Sequence, residues 1–152
     1  MSASRTAASV VAVNTVVTST LTVQTPGRGF TDLTQEVEAF LREVSAREGA
    51  VSAFIRHTSA SLTIQENADP TVLHDLATAL ARLAPDNAGW VHDAEGPDDM
   101  PAHIKTMLSS VSLLVPVQDG RMMLGTWQAI YLIEHRSRPH AREVVLQFIG
   151  AV

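Results

Sequence analysis

The chain contains no cysteine among its 152 residues. Disulfide bonds, thiolate catalysis and zinc sites with cysteine ligands are therefore excluded. No segment approaches the ~20 consecutive apolar residues that a membrane-spanning helix needs, and the N-terminal residues lack the apolar run of a signal peptide. These absences predict a soluble cytoplasmic protein that does not associate with membranes.

Aromatic residues are scarce at 5 %, and charged residues make up only 18 % of the chain against 45 % hydrophobic residues. This composition predicts one core built mostly from Leu, Val, Ile and Ala. The net charge of −5 argues against nucleic-acid binding, because little would offset the repulsion from phosphates. We expect a flexible N-terminus over residues 1–9 and a single domain over residues 10–152.

The hydrophobic pattern alternates between strand and helix periods along the chain. Asp32 and Asp69-Pro70 are typical of helix starts, and Asp119-Gly120 is the strongest hairpin signal. The last strands follow one another without helices, which favours an α+β fold with mainly antiparallel pairing and about three helices. The pattern predicts strands over 10–25, 50–57, 62–66, 111–117, 122–134 (bent at Gly125) and 142–149, and helices over 33–48, 70–84 and 99–109.

His57 and Glu66 end two consecutive predicted strands, each in line with apolar side chains. His57 is a candidate base or metal ligand, or else a hydrogen-bonded residue at the core edge. A carboxylate on the inner face at Glu66 would need a partner, a metal or a proton. If the strand ends one residue earlier, Glu66 is simply hydrated.

Two further histidines flank an acidic segment, and each has a structural alternative. His103 lies near the N-terminal end of the predicted third helix, either as a ligand or as a residue at the core edge. His92 precedes Asp93, Glu95, Asp98 and Asp99, which either bind a hard cation or form an acidic surface loop. The pattern places Asp75 on a solvated helix face, and it leaves Gln128 between a buried hydrogen-bonded position and an exposed edge.

Four segments in combination resemble the YjbQ family, whose members are described as secondary thiamine-phosphate synthases. They are HTSASLTIQENADPTVLHD at 57–75, PDN at 85–87, HDAEGPDDMPAHIK at 92–105 and PVQDGRMMLGTWQAIYLIEHR at 116–136. The similarity covers about residues 10–150. It implies a compact α/β sandwich that assembles as a homotrimer, with a site near the subunit boundaries. The matching polar positions are His57, Glu66, Asp75, His92, His103, Gln128 and Glu134.

The resemblance also implies an activity, the joining of hydroxymethylpyrimidine diphosphate to thiazole phosphate with release of diphosphate. We therefore expect a metal-assisted transferase that acts on a small phosphorylated molecule, with a divalent metal (Mg²⁺ or Zn²⁺) and no organic cofactor. The expected metal ligands are His57, His92 and His103, and the expected catalytic residues are His57, Glu66, Asp75 and Gln128.

The expected diphosphate needs positive charge, and the chain has no GxxxxGK[ST] loop to supply it. The candidate anion contacts are Arg56, Lys105, Arg121 and the cluster from Arg136 to Arg142. Two alternatives stay open. Because a dedicated phosphate loop is missing, one is a trimeric protein that binds a metal or a small anion without turnover. The other is that the histidines are structural residues at a subunit interface.

Overall fold

The structure, a computed structural model, describes residues 2–152. Within this range the chain forms eight strands and three helices. In chain order they are β1 (Thr15–Thr25), β2 (Gly29–Asp32), α1 (Thr34–Glu43), β3 (Glu48–Ile55), β4 (Ala60–Glu66), α2 (Pro70–Leu83), α3 (Asp99–Leu108), β5 (Ser112–Gln118), β6 (Arg121–Met122), β7 (Gln128–Glu134) and β8 (His140–Ala151).

The strands form two antiparallel sheets. The larger sheet has the order β1-β8-β3-β5-β6, and the smaller has the order β2-β7-β4. Both sheets and α1 contribute side chains to one buried apolar cluster, in which Leu41, Leu62 and Phe148 have no exposed surface. The predicted α+β class with mainly antiparallel pairing and three helices is confirmed.

The first helix begins at Thr34, one residue later than predicted, with Leu33 and not Asp32 at its N-cap position, and it is also shorter than predicted. The carboxylate of Asp32 accepts a hydrogen bond from the Thr34 N–H at 2.8 Å, which satisfies one free donor of the first turn. The predicted extension to Glu48 is wrong because the chain turns at Ser45, whose φ is +55°. Glu48 already lies in β3, paired with Ala151 of β8.

The Asp119-Gly120 turn is confirmed, but the strand predicted after it is not. Asp119 and Gly120 have φ values of +50° and +75°, and they join β5 to β6 through the pair Gln118 and Arg121. The single strand predicted over 122–134 is wrong, since residues 123–127 cross from the larger sheet to the smaller one. The crossing closes with a 2.8 Å hydrogen bond from the Gly125 N–H to Gln128 Oε1.

The first predicted strand begins later than the valine-rich pattern suggests. Thr15 pairs with Gly150 near the end of β8. The Asn14 N–H still donates to the carbonyl oxygen of Gly150 at 3.1 Å. Residues 10–13 continue the valine-rich pattern but belong to no strand, so the expected start at residue 10 is wrong.

The second helix begins as predicted and packs less tightly than predicted. Asp69 accepts a hydrogen bond from the Thr71 N–H at 2.9 Å, one residue after Pro70 at the first helical position. No residue of α2 is fully buried, and Leu83 is 66 % exposed. The expected core stripe of α2 is therefore only half-buried. None of the helices in residues 2–152 has both the length and the apolar composition needed to cross a bilayer.

Candidate metal centre

Three potential metal ligands converge where α3 begins. Asp99 and His103 lie one turn apart on α3, so their side chains share a helix face. His92 reaches the same point from the loop before the helix. One ligand atom from each residue lies within 4.8 Å of the other two, and among residues 2–152 no other group of three or more such side chains converges in this way.

The Asp99 carboxylate is the centre of the group. Its Oδ2 lies 2.8 Å from His92 Nε2 and 3.4 Å from His103 Nε2. The side chain of Asp99 is only 3 % exposed, whereas those of His92 and His103 are 49 % and 33 % exposed. The group therefore has a buried carboxylate at its base and opens to solvent through the two imidazoles.

The neighbours of His103 fix the orientation of its ring. Its Nδ1 lies 2.9 Å from the carbonyl oxygen of Thr58. Because a carbonyl oxygen only accepts, Nδ1 donates this hydrogen bond, and Nε2 is the ring nitrogen that faces Asp99. Metal-binding histidines commonly donate their second ring N–H to a carbonyl in this way.

Arg136 holds the Asp99 carboxylate in place from the other side. Its Nη1 forms an ion pair with Asp99 Oδ1, which leaves Oδ2 facing the histidines. Its Nη2 donates to the carbonyl oxygen of Glu95 at 2.7 Å. Arg136 thus attaches the loop and the start of α3 to the end of β7.

Asp98 has a structural role despite its position beside Asp99. Its Oδ2 accepts hydrogen bonds from the Ser137 N–H at 2.7 Å and from the Ser137 hydroxyl at 2.9 Å. Burial alone would raise the pKa of Asp98, but these hydrogen bonds and the charge of Arg136 outweigh it and lower the pKa to about 2. Asp98 is therefore ionised and fully used in joining the loop to residue 137.

The donor set decides which metals fit. Two imidazole nitrogens and one carboxylate oxygen suit Zn²⁺ and similar transition ions, which accept mixed nitrogen and oxygen ligands. Mg²⁺ prefers an all-oxygen octahedron. Of the two expected metals, the residues present fit Zn²⁺ better.

His57 was expected to be a metal ligand, but its side chain lies outside this group. Its Nε2 accepts a hydrogen bond from the Glu143 N–H at 2.9 Å. Burial and then the charge of Arg142 lower its pKa, so the ring is neutral at pH 7. It lines a surface depression together with His103 and Ser110, so it lies beside the metal centre. The third potential ligand, after His92 and His103, is Asp99 instead of His57.

Glu66 and Gln128 are cross-strand partners on β4 and β7, at the end of β4 opposite the histidines. The six residue steps from Ala60 to Glu66 span about 20 Å of strand. Gln128 also closes the turn at Gly125. Within one chain these two side chains do not meet the histidine group.

Asp75 lies on the exposed face of α2. Within residues 2–152 its side chain forms no ion pair and is not part of the histidine group.

Three of the predicted anion contacts, Arg56, Arg136 and Arg142, bind carboxylates of the protein instead. Arg142 donates to both oxygens of Glu134, at 2.7 and 2.6 Å, and both residues are buried. Thr25 donates to the same carboxylate at 2.7 Å. Arg56 pairs with Glu143 at 3.0 Å, so the arginines near this site, including Arg136, are neutralised internally.

Two parts of this arrangement were missed by sequence reasoning. Asp99 was grouped only with the acidic loop, although its spacing of four residues before His103 on a helix places both on one face. His135 was not considered at all. It is buried, with Nε2 2.8 Å from the hydroxyl of Ser61, and burial followed by the charge of Lys105 lowers its pKa to about 4.

Comparisons with known proteins agree with the motifs. Residues 19–151 match the model of a family described as UPF0047 protein YjbQ-like. The chain is 46 % identical over 133 residues to the UPF0047 protein sll1880 of Synechocystis, which covers 87 % of this chain and 90 % of that one. It is 43 % identical over 132 residues to the UPF0047 protein YjbQ of Escherichia coli O157:H7, covering 86 % and 96 %.

Solved structures show the same fold. The hypothetical protein TT1486 of Thermus thermophilus is 42 % identical with a TM-score of 0.76, covering 84 % of this chain and 97 % of that one. The hypothetical protein APE1520 of Aeropyrum pernix is 29 % identical with a TM-score of 0.82, covering 89 % and 99 %. The chain is therefore a two-sheet α+β domain of the same class as these proteins, and it is similar to them along nearly its whole length. The chain belongs to the YjbQ family, UPF0047.

Proposed function

We propose that this protein binds a divalent transition-metal ion through His92, Asp99 and His103 and uses it to transfer a group from a phosphorylated substrate. The observation that carries this proposal is the convergence of the three ligand atoms within 4.8 Å. Thiamine phosphate synthesis, which the family resemblance implies, is the specific reaction that we propose for this site.

The chain supplies three protein ligands, which is the number typical of catalytic zinc sites. When bound, the cation would neutralise charge on a diphosphate leaving group. The surrounding residues keep the ligands oriented, since Thr58 fixes the His103 ring and Arg136 fixes Asp99. A depression of about 470 Å³ adjoins His103 and is also lined by His57, Ser109 and Ser110, and this volume is in the range of small-molecule sites.

The proposed function includes assembly as a homotrimer in the cytoplasm. The outer face of the larger sheet supports assembly because it carries exposed apolar side chains on neighbouring strands. Leu114 is 71 % exposed, Phe54 47 % and Ile149 43 %, and contiguous apolar patches of this kind mark interaction surfaces. In such an assembly, the sheet edge with Glu66 and Gln128 in one chain would lie beside His92 and His103 of a neighbouring chain. Sedimentation analysis of Leu114→Asp tests this, and an unchanged oligomer would contradict it.

The activity is tested by assaying thiamine phosphate formation with metal-free and Zn²⁺-supplemented protein. We expect activity to depend on metal and His103→Ala to lose it, because the substitution removes a ligand. His74→Ala is the matched control, since His74 is exposed on α2 and distant in sequence from the ligand group. Activity that is unaffected by chelation and by His103→Ala would contradict the proposal.

A second candidate is a trimeric protein that binds a metal or small anion without catalysis. The internal pairing of Arg136 and Arg142 favours it, because neither arginine is free to hold a diphosphate near the histidines. Product formation beyond one equivalent per chain, on any phosphorylated substrate, would exclude this candidate. Stoichiometric binding of Zn²⁺ with no turnover would exclude the transferase.

A further inference from the structure

Lys105 is a buried cation without a protein partner. The residue is only 4 % exposed, and within residues 2–152 its ammonium forms no hydrogen bond or ion pair with a side chain. Because an unpaired buried charge is costly, such a group points to a missing counter-charge.

The carboxylates whose charges act on Lys105 are Asp86 and Asp98. Asp86 pairs with Arg28 at 2.6 Å, and Asp98 accepts hydrogen bonds from Ser137. Glu134, which lines the same recess as Lys105, is held by Arg142 at 2.6 Å. The neighbouring His135 is neutral, because burial and the charge of Lys105 lower its pKa to about 4. Asp86 and Asp98 balance the ammonium only from a distance, because within residues 2–152 neither forms a direct ion pair with it.

Lys105 lines a recess between α2 and the smaller sheet. Arg28, Glu134 and His135 form its polar lining, and the remaining lining is the backbone of Gly29 and the apolar side chains Phe30, Ala77, Leu80, Ala81 and Ile133. The recess has a volume of about 70 Å³. This exceeds what one water molecule needs but is far below the size of a typical drug or cofactor site.

The recess is separate from the metal centre although both involve α3. Lys105 follows His103 by two residues, and residues at this spacing point to different sides of a helix. His103 faces Thr58 and Asp99, whereas Lys105 faces the underside of α2 and the end of β7.

We propose that this recess binds a small monocarboxylate, whose carboxylate pairs with Lys105 beside Arg28 and whose short apolar group contacts Phe30, Leu80 and Ile133. One ammonium and one guanidinium already paired with Asp86 match a single negative charge better than a phosphate dianion. The apolar walls match a few carbon atoms. The half-buried packing of α2, which has no fully buried residue, gives the ligand a route in.

The test is calorimetric titration of the full-length protein with sodium propanoate and, separately, with inorganic phosphate. We expect saturable propanoate binding that is tighter than phosphate binding. Lys105→Met retains the length of the side chain and removes its charge, and it should weaken propanoate binding at least about tenfold. Arg121→Met is the control, because Arg121 is exposed on β6 away from the recess. This variant should bind propanoate as tightly as the parent protein does.

Arg28→Met provides a second test of propanoate binding in the recess if Lys105→Met does not fold. Arg28 lies at the mouth of the recess with a partly exposed side chain, and its loss should also weaken propanoate binding. No saturable propanoate binding, binding unaffected by the recess substitutions, or tighter binding of phosphate would each overturn the proposal.

Discussion

Arg136 binds one carboxylate oxygen of Asp99 and leaves the other facing two imidazoles. The arginine comes from the chain just after β7, and the aspartate is the first residue of α3. This contact sets the direction of the carboxylate before any metal arrives. The metal centre therefore depends on a residue that cannot itself be a ligand.

Replacing Arg136 with Met should weaken zinc binding without removing a ligand. Partners that orient metal ligands typically contribute about 10–100-fold in affinity, and we expect a loss in that range. Competition with a chromophoric chelator measures it. Arg138→Met is the control, since Arg138 is exposed two residues further along the chain. Equal zinc affinity in all three proteins would show that Arg136 does not position Asp99.

Buried His135 should make stability depend on pH in a defined window. Its pKa falls from 6.5 to about 4 on folding, mainly through burial, so between these values the unfolded chain binds more protons. The stabilisation is fully present above pH 6.5 and is lost as pH falls to 4. By linkage the loss is about 3 kcal/mol. Urea unfolding across this range measures it.

The same pH series on His135→Gln isolates this contribution. The variant lacks the titrating group, so its free energy of unfolding should change less between pH 6.5 and 4. His57, whose pKa is also lowered, would leave a residual slope of the same sign. Below pH 4, protonation of Asp98 continues the loss down to its pKa of about 2. A slope identical to that of the parent would contradict this role for His135.

The buried pair of Glu134 and Arg142 should behave differently from a surface pair. Glu134→Gln leaves a buried guanidinium without its charge partner, and we expect a loss of about 3–5 kcal/mol in the free energy of unfolding. The exposed pair of Arg56 and Glu143 is the internal comparison, at 3.0 Å with both side chains about half exposed. Glu143→Gln should cost below about 1 kcal/mol.

A double substitution checks the reason for this difference. Replacing Glu134 and Arg142 together with Leu removes both charges. The loss in the free energy of unfolding should then be clearly smaller than the sum of the losses caused by Glu134→Leu and Arg142→Leu alone. Simple additivity in denaturant unfolding would mean that the two residues do not stabilise each other.

Local signals predicted the fold well where one residue type fixes the backbone. Asp69 with Pro70 and Asp119 with Gly120 each impose a specific geometry, and both are found as predicted. The prediction of one strand over 122–134 failed because the periodicity of a sequence does not show which sheet a strand joins. The strand start at residue 10 failed because pairing, which depends on the end of β8, limits a strand more than its own composition does.

The site was harder to predict than the fold. Spacing along a helix could have paired Asp99 with His103, but His92 comes from a loop whose path depends on Arg136 and Ser137. His57 was expected to end a strand, but β3 ends at Ile55, and beyond that end His57 accepts a backbone hydrogen bond from β8. Such long-range contacts, which decide whether an imidazole nitrogen is free, are not encoded in local pattern.

The most direct test compares zinc stoichiometry in three proteins by titration and elemental analysis. The parent protein and His57→Ala should each bind one zinc ion per chain at this site, because His57 lies outside the group. Asp99→Ala should bind none at the same free zinc concentration, because it removes the buried carboxylate from the group. Zinc retained by Asp99→Ala, or lost from His57→Ala, would contradict the assignment of the metal centre.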